Sequence, residues 1–157
     1  MTALPLGKAE IRRQGRSGLL LLSFGTMLRA ANAAAERLDA TLVNMRFVKP
    51  LDEKLLSELL PQHLAWVSLE ENTVAGGAGG AVAELLDRQG LAKPHLAIGL
   101  PDRFVEHGSR EECLADAGLD EGTVGATIER WWLALPCNLN SARPATRMSV
   151  AVGSGPT

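Results

Sequence analysis

Apolar and polar positions along the chain switch repeatedly between two periods. Residues 19–24 form a short, mainly apolar run bounded by Gly18 and Gly25, the pattern of a strand buried on both faces. Residues 28–38 then place Leu28, Ala31, Ala35 and Leu38 on one stripe, which predicts a helix whose small side chains let it lie close to a sheet. Residues 40–47 read as a second strand. Lys49 precedes Pro50 and is pushed towards extended geometry. Asp52 is placed to cap a helix reaching residue 60, with Leu51 and Leu56 as its hydrophobic staple and Pro61 as its stop.

The same alternation continues. Residues 64–69 predict a third strand, and a glycine-rich turn leads into a helix from about 78 to 89, closed by Gly90 in left-handed geometry. Residues 95–98 predict a fourth strand. Ser109-x-x-Glu112 has the spacing of a capping box for a helix ending near Gly118. Asp120 opens the last helix, with Val124, Ile128, Trp131 and Leu135 on one face. Strands and helices alternating at this spacing imply right-handed crossovers. The expected fold is therefore α/β: three layers, with a mostly parallel sheet of four or five strands and helices on both faces.

The chain has 157 residues. That suits one domain, which at this size buries roughly 68–70% of the surface its unfolded form exposes. Sixteen Lys and Arg against eighteen Asp and Glu leave a net charge of −2, which argues against a dedicated nucleic-acid binder. Two cysteines, Cys113 and Cys137, make no disulfide framework and fit a reducing, cytoplasmic setting. The longest leucine run, residues 19–22, is far too short for a membrane span, and residues 1–5 lack the pattern of a signal peptide. All the acids lie between Glu10 and Glu129, and the final residues carry only Arg143 and Arg147 as charges. Residues 136–157 show no helical or strand period and are expected to be a disordered tail. Residues 1–18 are expected to be a linker entering a domain that spans 19–135.

Parallel strands bring their C-terminal ends to one edge, where open α/β folds place ligands and partners. Four conspicuous segments fall there: Ser23-Phe24-Gly25-Thr26, Arg46 to Pro50 (with Lys49), Glu70-Glu71-Asn72 running to Gly80, and Gly99 to Asp102. Their grouping suggests a rim that docks against something, although tight turns between strands and helices use such residues anyway. The run containing Gly76, Gly77 and Gly79 invites a phosphate-loop reading. It has no Lys-Ser/Thr, Val82 stands where a dinucleotide fingerprint needs its third glycine, and Glu70 and Glu71 would repel a phosphate. Close packing of helix on sheet, or close approach by another backbone, explains these glycines better. Glu70 and Glu71 are neighbours on a strand and point to opposite faces, so they make no catalytic pair. His63, His95 and His107 share no metal-ligand spacing; His107 is read as ordering its loop, and Cys113 as a small core residue. Trp131 and Trp132 read as core and rim. No catalytic, cofactor-binding or metal-binding residue is assigned.

In order along the chain, Arg46-Phe47-Val48-Lys49-Pro50-Leu51-Asp52, Glu70-Glu71-Asn72, Ala75-Gly76-Gly77-Ala78-Gly79, Gly99-Leu100-Pro101-Asp102-Arg103-Phe104, His107-Gly108-Ser109 and Ala117-Gly118-Leu119-Asp120 resemble the C-terminal domain of 1-deoxy-D-xylulose-5-phosphate synthases. Residues 4–9 resemble the linker entering it, and the likeness covers roughly residues 4–135. It implies a transketolase-type transferase that joins pyruvate to glyceraldehyde 3-phosphate for isoprenoid, thiamine and pyridoxal synthesis, using thiamine diphosphate and a magnesium ion. In such enzymes the cofactor lies between an N-terminal and a middle domain, and no Gly-Asp-Gly start of a cofactor motif occurs here. The resemblance implies no cofactor site in this chain. It implies an assembly role, with those two domains or a second copy as partners. Two readings stand: a domain or fragment of such a synthase, inactive alone, or a free-standing interaction module with the same fold.

Overall fold

The computed structural model describes residues 4–136. Its five-stranded sheet runs in the order β1 (Glu10–Arg13), β3 (Thr41–Asn44), β2 (Leu19–Ser23), β4 (Ala65–Thr73), β5 (His95–Leu100). β2 pairs in parallel with both β3 and β4, β4 pairs in parallel with β5, and only β1 is antiparallel, at one edge beside β3. The expected three-layer, mostly parallel architecture is what is found. The fifth strand comes from the stretch expected to be a linker. Glu-Ile-Arg-Arg shows little apolar alternation because β1 is an edge strand with much of its surface in water. Most of the segment expected as a disordered tail lies outside the described residues.

Leu19, Leu20, Leu21 and Leu22 are all fully buried, because β2 is central and covered on both sides. Leu19 and Leu21 face α1 (Leu28–Leu38) and α5 (Glu121–Ala134), while Leu20 and Leu22 face α2 (Glu53–Leu59) and α3 (Ala78–Arg88). Burying each leucine contributes about 1.5–3 kcal/mol, so this strand anchors both halves of the core. α4 (Arg110–Asp116) lies on the α1/α5 side through Leu114. In α1 the alanines Ala31, Ala34 and Ala35 are buried while Leu28 and Leu38 flank them. Trp132 is core and Trp131 packs half-buried beside it. No helix among the described residues is long and apolar enough to cross a membrane.

The helix ends follow their sequence signals. Asp52 caps α2 by accepting from the Leu55 amide, and Ser109 with Glu112 closes a complete capping box on α4. Asp120 accepts from the Thr123 amide to open α5, and Gly90 and Gly118 take positive φ at the exits of α3 and α4. Two strands differ from expectation in length. β3 stops at Asn44, because Arg46 adopts a left-handed φ of 57° and its amide donates to the Asn44 side chain. β4 runs on to Thr73, pairing with Leu100 after a register shift.

Candidate functional site

The C-terminal ends of β2, β3 and β4 form a shallow depression of about 420 Å³, lined by Phe24, Thr26, Val48, Glu71, Asn72 and Gly76 among others. Alternation along β4 sends Glu70 and Glu71 to opposite faces, as a strand requires. Glu70 is only 3% exposed. Its carboxylate accepts from the amides of Ala78 (2.7 Å) and Gly79 (3.1 Å), the first residues of α3. Those amides are the ones an external anion would use. The anion at this helix start is therefore the protein's own carboxylate.

The glycines make that seat possible. A Cβ on Gly77 would lie 2.3 Å from Glu70 Oε2 and 2.5 Å from the Thr73 carbonyl oxygen, and one on Gly79 would lie 2.3 Å from Ser68 Oγ. Close packing of α3 on β4 thus accounts for Gly77 and Gly79. Gly76 has positive φ (74°) and open space around it, so it serves the turn itself. Gly99 is also tight, since a Cβ there would come within 2.6 Å of the Asn72 carbonyl oxygen.

On the other face, Glu71 accepts from the Thr26 hydroxyl and pairs with Arg110 at 2.5 Å, tying the ends of β2 and β4 to the start of α4. Arg46 and Pro50 turn away from the depression towards the N-terminal segment. Arg46 pairs with Glu10 at 2.5 Å, and Pro50 packs against Gly7. Lys49 is exposed. Asp102 and His107 sit on the exposed loop after β5, outside the residues lining the depression. Phe104 on that loop is fully exposed. The fold therefore gathers Glu70, Glu71, Asn72, Gly76 and Gly77 at the depression, packs Gly79 behind it against Ser68, and sends Arg46 and Pro50 elsewhere.

Sequence reasoning missed four contacts. Trp66 stacks on His95 with ring centroids 3.5 Å apart and planes 4° from parallel, and His95 Nε2 lies 2.9 Å from Ser68 Oγ. Burial there lowers the His95 pKa to about 4. Arg110 reaching Glu71 spans 39 residues and leaves no local signal. Asp52 binds not only its helix but also the amide of Ala9 at 3.1 Å. Burial pushes the Asp52 carboxyl up, but the amides of Ala9 and Leu55 and the Lys8 ammonium outweigh it, so it titrates below the usual range.

The residues present do not fit a thiamine diphosphate site. The donors at the glycine-rich helix start are taken by Glu70. Arg46 and Arg110 are paired with Glu10 and Glu71. Among the described residues no group of three His, Cys, Asp or Glu side chains could hold a metal ion.

An α/β domain with a mostly parallel sheet and a self-capped glycine turn at its strand-end rim matches the family profile described as transketolase, C-terminal domain, over residues 7–124. The chain belongs to the transketolase C-terminal domain family. Its relatives include 1-deoxy-D-xylulose-5-phosphate synthases. That of Thioalkalivibrio sulfidiphilus is 61% identical over 131 residues, covering 83% of this chain and 20% of the relative. That of Aeromonas hydrophila is 56% identical over 131 residues, covering 83% and 21%. The chain thus spans about a fifth of the length of these relatives and corresponds to their C-terminal portion. Among solved structures, a split-gene transketolase described as an inactive beta4 tetramer has a TM-score of 0.72 at 30% identity, covering 82% of this chain and 43% of that one. A transketolase from Campylobacter jejuni, at TM-score 0.58 and 14% identity over 79% of this chain and 18% of that one, shares the fold.

Proposed function

We propose that this chain serves as the C-terminal domain of a 1-deoxy-D-xylulose-5-phosphate synthase in the cytoplasm, contributing assembly rather than reacting groups. The observation that carries the reading is 61% identity over 131 residues to such a synthase. The family is one of thiamine diphosphate enzymes, and in this reading the cofactor, its magnesium ion, pyruvate and glyceraldehyde 3-phosphate are handled by the other domains. The strand-end rim is the proposed contact surface. Its exposed members, Lys49, Asn72, Gly76, Asp102 and His107, would meet the catalytic domains, with Val48 and Phe104 supplying apolar area. Aromatic side chains dominate the energetics of such contacts.

A second reading, in which copies of the chain assemble with one another as a non-catalytic module, is favoured by one observation. The split-gene relative is described as an inactive beta4 tetramer. A chimera separates the two readings. Residues 4–135 of this chain replace the matching region of the Thioalkalivibrio synthase. The synthase reading expects activity within about tenfold of the parent, a loss of no more than ~1.4 kcal/mol in transition-state stabilisation. A chimera that folds and binds its cofactor yet makes no product would overturn it.

A further inference from the structure

Residues 7–10 are held to the connection between β3 and α2 by contacts that converge on one carboxylate. Asp52 is 6% exposed. Its Oδ2 accepts from the Ala9 amide at 3.1 Å, and its Oδ1 accepts from the Leu55 amide and from Lys8 Nζ, each at 3.4 Å. A helix cap needs only the Leu55 contact; the other two reach 43 and 44 residues back along the chain. Three neighbouring features reinforce the same path. Glu10 pairs with Arg46 at 2.5 Å, and Arg46 stands in the left-handed region at φ 57°. Gly7 has φ 66°, and a Cβ there would come within 2.6 Å of Pro50 Cγ. Ala9 packs on the core formed by β2, α2 and α3.

We infer that Asp52 is a positioning latch: besides capping α2, it docks the segment that leads into β1 and so fixes the direction from which the chain reaches the sheet. This goes beyond the proposed synthase role and stands on contacts within this chain alone. Without the latch, β1 would hang on an antiparallel ladder of four residues with a register shift, a weak attachment for an edge strand. With it, the segment is tied to the same residue that starts α2, so helix and incoming chain hold one relative orientation.

Amide hydrogen exchange on the full chain tests this. Asp52→Ser keeps a good helix cap but is too short to reach both Ala9 and Leu55. Exchange at residues 8–13 should rise roughly tenfold, as expected for losing a charge-assisted hydrogen bond, while residues 53–59 and 19–23 keep their protection. Unchanged protection at 8–13 would overturn the proposal. So would loosening of 53–59 together with 8–13, which would make Asp52 a helix cap only. If Asp52→Ser does not fold, Gly7→Ala leaves the cap intact and must itself loosen 8–13; an unaltered pattern in that variant overturns the latch.

Discussion

His95 is pressed flat against Trp66 and bonded through Nε2 to Ser68, in a site where burial lowers its pKa from 6.5 to about 4. The folded chain therefore refuses a proton that the unfolded chain accepts throughout that interval. Stability must then fall as pH drops from 6.5 towards 4, because the unfolded state binds more protons over that range. His63 adds to the same trend. Burial lowers its pKa too, its Nδ1 donates to the Leu59 carbonyl at 2.7 Å, and its Nε2 accepts from the Thr41 hydroxyl. The carboxylates held low by hydrogen bonds, Asp52, Glu112 and Asp120, act at more acid pH, so pH 5–6.5 isolates the histidines. Urea midpoints measured across that window should decline with acidification, and His95→Gln should flatten the slope. An identical slope in the variant would show that His95 protonates as readily folded as unfolded. Neither contact is visible in the sequence, since His95 merely opens a strand and Trp66 lies 29 positions earlier.

The start of α3 shows how one element can carry glycines of opposite meaning. Gly77 faces the Thr73 carbonyl and the Glu70 carboxylate at distances no Cβ tolerates, while Gly80 has nothing within 4 Å. Gly77→Ala should therefore destabilise the fold by about 1–3 kcal/mol through overpacking. Gly80→Ala, inside the helix, should stabilise it by up to ~1 kcal/mol through helix propensity. Chemical denaturation of the two variants checks the sign of each, and equal effects would mean that α3 does not press on β4 as described. The glycine run was legible in sequence as a packing device, and Glu70 beside it as hostile to phosphate. That the carboxylate itself fills the helix start was not, because nothing in the residue order states that Glu70 points inwards and Glu71 outwards. Elements defined by local chemistry were readable for the same reason in reverse: Asp52, Ser109-x-x-Glu112, Gly90 and Gly118 act within a turn of themselves. β1 was hidden because an edge strand of charged residues has no apolar period, and the early end of β3 because a left-handed Arg46 leaves no compositional mark.

At the scale of the whole molecule, several charged groups of the strand-end rim are held by internal partners. Glu70 is spent on α3, Glu71 on Arg110 and Thr26, and Arg46 on Glu10. A diphosphate arriving at this rim would find the α3 amides and the Arg46 and Arg110 guanidiniums engaged, and a carboxylate at the helix start rich in glycine. Binding it would require breaking charge-assisted hydrogen bonds worth about 1.5–3 kcal/mol each without a compensating cradle. What the rim does leave exposed mixes polar side chains such as Asn72, Asp102 and His107 with the apolar Val48 and Phe104, the latter wholly in solvent, a surface that suits contact with another protein better than capture of a small anion. Calorimetry of the isolated chain with thiamine diphosphate and magnesium should accordingly give no saturable heat. The matching expectation is that Phe104→Ser leaves folding intact, since an exposed side chain contributes little to the core, yet weakens whatever association the chain shows in sedimentation. Saturable micromolar cofactor binding, abolished by excess pyrophosphate, would mean that Glu70 yields its seat to a ligand and that the rim is a binding site rather than a docking face.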